Sequence, residues 1–179
     1  MVRRDWFKTL SQGAVLAVFE SERIADHGYA ILEGAYTASE ACANAIGQRE
    51  DGEGFVNAIK GALDVADLNP SRINVVKTHG TGTKSNNMAE KAALENSLEG
   101  FIATSLKPKI GHTMGVSGLL ETCLLLDSMK QGIVPKIENR TEKDDVFLSE
   151  DREIKDGLVL SLAAGMGNVY SAAVLSMEV

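Results

Sequence analysis

The stretches INVVKTHGTGT at residues 73–83 and FIATSLKPKIGH at residues 101–112 decide the fold. Each begins with a short apolar run, as buried strands do, and each ends in a glycine-containing turn that carries a histidine. Between them, residues 87–97 have the composition of a helix. This strand–helix–strand pattern predicts an α/β layered fold, with many strands in one mostly parallel sheet covered by helices.

Further elements on both sides extend the pattern to roughly ββαβαβαββ. Strands are predicted at Gly13–Glu20, Tyr29–Tyr36, Gly157–Ala164 and Val169–Val179, a short helical turn at Ser21–Gly28, and helices within Asp51–Leu68 and at Ser117–Gln131. The helix at 117–131 is apolar nearly all round, which predicts that it is sandwiched between two layers. A small domain needs no such helix, so a second chain or domain is expected to supply the second layer.

The composition is that of an ordinary globular domain, and we expect a single domain over residues 1–179. The net charge of -7 argues against nucleic acid or an anionic membrane as the main partner. No segment approaches the roughly 20 apolar residues that cross a bilayer, and no signal-peptide cleavage site is recognisable. The two cysteines form no CxxC motif, so we expect neither disulfides nor zinc, and a cytoplasmic location.

Two of the three histidines, His79 and His112, follow successive predicted strands directly. Sites in α/β sheets gather at the carboxyl ends of strands, and adjacent glycines let the backbone approach a ligand closely. A structural role is the alternative, with the histidines as turn residues and the threonines capping the next helix. The GTGT run matches neither a P-loop nor the GxGxxG motif, which argues against nucleotide binding. The sequence places no third metal ligand near the two histidines, so we expect no metal site.

The two turns together resemble a known pair of motifs. VKTHGTGT (76–83) and SLKPKIGHTMGVSGLLE (105–121) are similar to the two histidine motifs of β-ketoacyl (3-oxoacyl) synthases. The resemblance runs from about Gly13 to the C-terminus. It implies a thiolase-type fold, in which two similar βαβαβαββ halves pack as a five-layered αβαβα sandwich, and this chain resembles the second half.

The resemblance also implies catalytic roles for four residues. His79 and His112 would assist decarboxylation of a malonyl carrier and stabilise the resulting enolate, for which neutral imidazole N–H groups are suitable donors. Lys107 would orient or polarise His112, with Glu121 as a structural partner. No cofactor is implied beyond the phosphopantetheine that arrives on the carrier-bound substrate.

Substrate contacts are implied for Thr81, Thr83, Gly165, Met166 and Gly167. The threonines match residues that contact the phosphopantetheine arm. Met166 stands where the family often has a phenylalanine that gates the acyl pocket, and a flexible methionine would let that pocket admit an unusual acyl chain. Asn168-Val169-Tyr170 replaces the family's Gly-Thr-Asn, a further departure in this loop.

The family's nucleophilic cysteine is missing. Cys42 lies outside the expected small-residue turn, and Cys123 lies inside the apolar helix, where free cysteines are usually packing residues. The chain is therefore expected to be one subunit of a split synthase, completed by an N-terminal ketosynthase half that carries the cysteine. The alternatives are a non-catalytic partner comparable to chain-length factors and a fragment of a longer synthase. Other expected partners are an acyl carrier protein and, through an apolar face that the isolated chain would expose, a second copy of the chain.

Overall fold

The computed structural model describes residues 9–25, 27–41, 48–140, 146–154 and 156–177. The strands are β1 (Ala30–Ser39), β2 (Ile73–Lys77), β3 (Ile102–Thr104), β4 (Ile133–Val134), β5 (Arg152–Glu153), β6 (Leu158–Gly165) and β7 (Val169–Met177). The helices are α1 (Glu53–Ala66), α2 (Lys84–Ser97), α3 (Lys107–Ile110) and α4 (Ser117–Lys130). Strands and helices thus alternate as the sequence predicts.

Five strands form one sheet, in the order β1-β7-β6-β2-β3. The pairs β6/β2 and β2/β3 are parallel, whereas β7 is antiparallel to both of its neighbours, β1 and β6. Four of the five strands therefore run in the same direction, which confirms a mixed, mostly parallel sheet. The carboxyl ends of β2, β3 and β6 consequently lie at the same edge, and the remaining strands, β4 and β5, form a separate antiparallel pair.

Helices cover both faces of this sheet. On one face, α1 buries Phe55 and Ile59 in a core that also includes Val76 of β2. On the other face, α4 buries Leu125 and Met129 in a core with the adjacent β2 residue, Val75, and with Val159 of β6. Because neighbouring residues of β2 and β6 point to opposite cores, these strands are continuous apolar runs rather than alternating ones.

Most of the predicted boundaries are confirmed to within a few residues. The exception at a helix start is α2, which begins at Lys84 and not at Asn87, because the turn after the threonines leads directly into it. The first part of the short helical turn predicted at Ser21–Gly28 is confirmed by hydrogen bonds from the Ile24 and Ala25 amides to the Ser21 carbonyl.

The predicted strand at Gly13–Glu20 is wrong. Residues 13–20 contain no strand, and Leu16, Val18 and Phe19 are each more than two-thirds exposed. A strand needs a neighbour for its backbone N–H and C=O groups, and the described part of the chain offers none to this segment. Residues 13–20 therefore form no strand with any described segment, despite their β-forming composition.

The helix α4 is only partly covered. Its sheet-facing side is buried, but Leu119 and Leu124 are exposed on the opposite side, with Cys123 half-buried between them. Apolar residues on both sides are what a helix between two layers requires, and the described residues supply one of those layers. No described helix combines the length and apolar content needed to cross a membrane.

Candidate active site

The two predicted histidines meet at one edge of the sheet. Strands β2 and β3 are parallel neighbours with Lys77 opposite Thr104, so the segments that follow them leave the sheet side by side. The ring centroids of His79 and His112 lie 6.0 Å apart, and the rings are nearly perpendicular at 85°. A substrate group placed between the rings could contact both of them.

The hydrogen bonds of the His112 ring select one tautomer of the neutral imidazole. The Met114 amide donates a 3.1 Å hydrogen bond to Nδ1, and Ser117 Oγ lies 3.0 Å from the same atom. The Ser117 hydroxyl in turn accepts a hydrogen bond from the Thr113 amide at 3.1 Å. Because a backbone amide can only donate, Nδ1 must be the unprotonated nitrogen, and the proton of the neutral ring is on Nε2. Nε2 is therefore the nitrogen that can donate to a substrate oxygen.

The backbone of His112 is fixed by the N-terminal segment. Its amide donates to the Thr9 carbonyl at 2.7 Å, and its carbonyl accepts from the Ser11 amide at 3.1 Å. Gly111 has a φ of +80°, and a Cβ there would lie 2.8 Å from Ser11 Cβ, so the segment packs directly against this glycine. Sequence reasoning missed this contact because the two segments are about a hundred residues apart.

A buried carboxylate holds the His79 loop. Glu90 of α2 accepts hydrogen bonds from the His79 amide at 2.5 Å and the Gly80 amide at 2.8 Å, and from the Asn86 side chain at 2.6 Å. Burial raises the pKa of Glu90, although these hydrogen bonds and the nearby Lys107 charge lower it. Sequence reasoning also missed Glu90. Glu90 could have been found from its position in α2, three residues before Ala93 and therefore on the same, buried side of the helix.

The predicted pair of Lys107 and Glu121 is present. Lys107 Nζ donates a 2.7 Å hydrogen bond to Glu121 Oε1, and both side chains are almost completely buried. A further lysine, Lys77, lies in the same cluster and is fully buried. Burial lowers the pKa of Lys77 to about 8, the Glu121 charge opposes this shift, and the Lys107 charge adds to it. Alternate residues of a strand point to the same face, so Lys77 lies on the same face of β2 as the buried Val75. This alternation was the signal for its burial that sequence reasoning left unused.

The predicted substrate-binding residues lie at this same edge. Thr81 and Thr83 are half-buried with their hydroxyl oxygens 3.2 Å apart, and Thr83 makes no side-chain capping bond to α2. Gly165 is the last residue of β6, whose carboxyl end shares the edge with β2, and Met166 and Gly167 lie in the turn that follows it. Met166 is 75% exposed, and a Cβ on either glycine would meet open space. Space for a ligand is therefore available around this turn.

The described cysteine is poorly suited to be the nucleophile. Cys123 lies on α4, and burial raises the pKa of its thiol, which disfavours the reactive thiolate. Cys42 lies outside the described residues. Among the described residues, no group of three or more His, Cys, Asp or Glu side chains could hold a metal ion.

Comparisons with known proteins identify a family to which the chain is similar. Residues 29–141 match the sequence model of a protein family, the C-terminal domain of β-ketoacyl synthases. The tetracenomycin polyketide synthase ketoacyl synthase alpha subunit of Streptomyces glaucescens is 33% identical over 97% of this chain and 43% of its own length. 3-Oxoacyl-[acyl-carrier-protein] synthase 2 of Coxiella burnetii is 28% identical over 70% of this chain and 33% of its own length.

Solved structures share the fold. A type II polyketide synthase ketosynthase, bound to a hexaketide and in complex with its acyl-carrier protein, gives a TM-score of 0.78 at 25% identity, over 86% of this chain and 40% of that one. The ishigamide ketosynthase/chain length factor gives a TM-score of 0.76 at 24% identity, over 84% of this chain and 38% of that one. The fold is thus thiolase-like, and the chain spans about two fifths of the length of the first curated relatives it matches.

Proposed function

This chain belongs to the family of β-ketoacyl synthase C-terminal domains, and from that premise we propose that it supplies the histidine half of a decarboxylative condensation site. A separate N-terminal ketosynthase half would supply the cysteine. Several of the relatives are named as polyketide β-ketoacyl synthases, and their names support polyketide synthesis as the pathway.

The observation that carries the proposal is the perpendicular histidine pair, with the proton of His112 on Nε2. In the proposed reaction, the bond between C2 of a malonyl thioester and its carboxylate breaks, CO₂ leaves, and the electron pair forms an enolate. Imidazole N–H groups of His79 and His112 stabilise the enolate oxygen. The enolate carbon then attacks the acyl thioester on the partner's cysteine. The new C–C bond gives a 3-oxoacyl carrier, and the cysteine leaves as a thiolate.

Two uncovered apolar surfaces support a missing half. The outer side of α4 exposes Leu119 and Leu124, and the segment 13–20 exposes Leu16, Val18 and Phe19. A helix side of this kind suits a second helical layer, and an unpaired β-forming segment suits addition to a partner's sheet. We propose that the N-terminal half covers both surfaces. Its cysteine would then reach the histidine edge across the α4 layer.

We propose an acyl carrier protein as the second partner. Its phosphopantetheine arm would pass Thr81 and Thr83, whose hydroxyls can bond amide groups of the arm. The chain itself carries a net charge of -7. An acidic carrier would therefore dock on a local basic patch or on the partner half.

The first experiment is a pull-down of the tagged chain from its host, with mass identification of the proteins that co-purify. A stoichiometric partner with an Ala-Cys-Ser-type turn would support the proposal, whereas a homodimer alone would refute it. The complex is then assayed for CO₂ release from a carboxyl-labelled malonyl carrier and for 3-oxoacyl product. His79→Ala and His112→Ala should each reduce condensation by about a hundredfold or more. His27→Ala, at the exposed third histidine, is the matched control and should have no effect.

The second candidate is a non-catalytic partner comparable to a chain-length factor. The altered turn after β6, with the exposed Met166 where the family has phenylalanine, favours it. In that case the complex would form and condense with the partner's own histidines. His79→Ala and His112→Ala would then leave the rate unchanged, while Met166→Phe would alter the length of the product.

A further inference from the structure

A buried lysine that the proposed mechanism does not use lies beside Glu121. Lys77 ends β2, and its Nζ donates a 2.7 Å hydrogen bond to the Leu162 carbonyl on β6. The same Nζ lies 3.9 Å from Glu121 Oε2, while Lys107 Nζ donates to Oε1 of this carboxylate at 2.7 Å. One buried carboxylate therefore lies between two ammonium groups that belong to different elements of the fold.

Each oxygen of Glu121 faces a different cation. Oε1 is bonded to Lys107, but Oε2 is buried and has no hydrogen bond within the described part of the chain. The Lys77 ammonium is the positive charge that opposes it there. A buried carboxylate oxygen without an opposing charge is costly. Without Lys77, Glu121 would gain by rotating or by opening towards solvent, and either movement would disturb its bond to Lys107.

This cluster connects the two histidine loops. Lys77 precedes His79 by two residues, and Lys107 begins α3, the helix that leads to His112. Glu121, from α4, therefore contacts one lysine from each segment. Movement of its carboxylate would change the position of one loop relative to the other.

We infer that Lys77 is a positioning residue for the two-histidine site: its ammonium holds the Glu121 carboxylate in place, and Glu121 in turn holds Lys107 and the loop that carries His112. The inference rests on the proposed function, because Lys77 has this task only where the two histidines form the site. Lys77 acts through Glu121 and contacts no reacting atom.

The charge of Lys77 opposes folding. Burial lowers the pKa of Lys77 to about 8, since removal of the ammonium from water outweighs the attraction of Glu121. An apolar side chain of similar volume at this position would avoid that cost, but it would also leave Glu121 Oε2 without its opposing charge, so the two effects on global stability offset each other. A packing role and a positioning role therefore predict different results for Lys77→Met. Loss of packing would lower the global stability, whereas loss of positioning would loosen the two loops without lowering it.

The test measures hydrogen–deuterium exchange and urea unfolding of the full chain, for the wild type and for Lys77→Met. We expect faster exchange, by about tenfold or more, in residues 77–83 and 105–113, with little change in the midpoint of unfolding. The matched control is Lys91→Met, which breaks the exposed pair of Lys91 with Glu95 at 3.6 Å. The control should leave exchange in both loops unchanged.

Two outcomes would overturn the inference. Unchanged exchange in both loops would mean that Lys77 does not position them. Faster exchange throughout the chain, together with a lower midpoint, would mean that Lys77 only supports the core. Neither outcome bears on the histidine chemistry. Conversely, failure of the condensation assay leaves this test intact, because exchange is measured on the chain itself.

A second measurement needs no substitution. The groups that face Lys77 are Glu121 on α4, Lys107 on α3 and Glu90 on α2. Between pH 7 and pH 9, corrected for the intrinsic pH dependence of exchange, protection of the two loops should fall as Lys77 loses its proton. Protection that stays constant over this range would refute the role of the ammonium even if Lys77→Met fails to fold.

Discussion

Gly80, in the turn that carries His79, cannot accept a side chain without moving the second histidine loop. Its φ is +57°, and an alanine Cβ there would lie 2.7 Å from Ser105 Cβ and 2.9 Å from Thr78 Oγ1. The left-handed backbone costs an alanine about 1 kcal/mol, and forcing a methyl group into a filled site costs about 1–3 kcal/mol. Gly80→Ala should therefore lower the free energy of unfolding by about 2–4 kcal/mol. Since Ser105 lies two residues before Lys107, the displacement should also reduce condensation by the reconstituted complex.

Urea unfolding monitored by circular dichroism measures the first effect, and Gly100→Ala is the matched control. Gly100 also has a left-handed φ, of +69°, but a Cβ there meets nothing within 4 Å. The free energy of unfolding of the control should therefore fall only by the cost of the left-handed backbone, about 1 kcal/mol. In a Ser105→Gly background, which removes the nearest obstacle and leaves Thr78 Oγ1, Gly80→Ala should lower the free energy of unfolding by less than it does in the wild-type background. Equal losses for Gly80→Ala and Gly100→Ala in the wild-type background would refute the close approach of the two loops.

Three other predictions address the site. Ser11→Pro removes the amide that donates to the His112 carbonyl. It should accelerate exchange of the His112 amide about fivefold, as expected for one hydrogen bond of about 1 kcal/mol; an equal effect of Gln12→Pro would argue against that specific bond. Lys77 has a folded pKa of about 8, below its ordinary value of 10.5, so the unfolded chain binds more protons between these values and stability should rise with pH. The full difference corresponds to about 3 kcal/mol; the same rise in Lys77→Met would contradict this assignment. Finally, ¹⁵N NMR of the His112 ring should show Nδ1 unprotonated and Nε2 protonated, and the reverse tautomer would refute the hydrogen bond from Met114.

Local patterns were sufficient to predict much of the fold. The apolar run at 73–77 and the amphipathic spacing of Phe55, Ile59 and Leu63 predict β2 and α1 correctly, because burial there depends on the segment's own sequence. The segment 13–20 also has a β-forming composition but pairs with no strand among the described residues. Strand formation requires a second chain segment, and the sequence of one segment does not say whether that neighbour is present.

The residues that support the histidines were harder to predict than the histidines themselves. The glycine turns of His79 and His112 are visible in a short window of sequence. Glu90 and Lys77 look like ordinary surface residues, and their burial depends on how α2 and α4 pack on the sheet. Long-range packing thus determines which charged residues become part of the site.

The support of each histidine lies within this chain. Glu90 binds the backbone of the His79 loop, Ser117 and Met114 fix the His112 ring, and the N-terminal segment fixes the His112 backbone. Because these contacts come from the chain itself, a partner half need not orient the imidazoles. In the proposed split synthase, the partner would instead have to position the cysteine, since a nucleophile displaced by about 1 Å can cost two orders of magnitude in rate. Substitutions at the interface with such a partner should therefore slow delivery of the acyl group. Substitutions around Glu90 and Glu121 should instead weaken the stabilisation of the enolate by the two histidines.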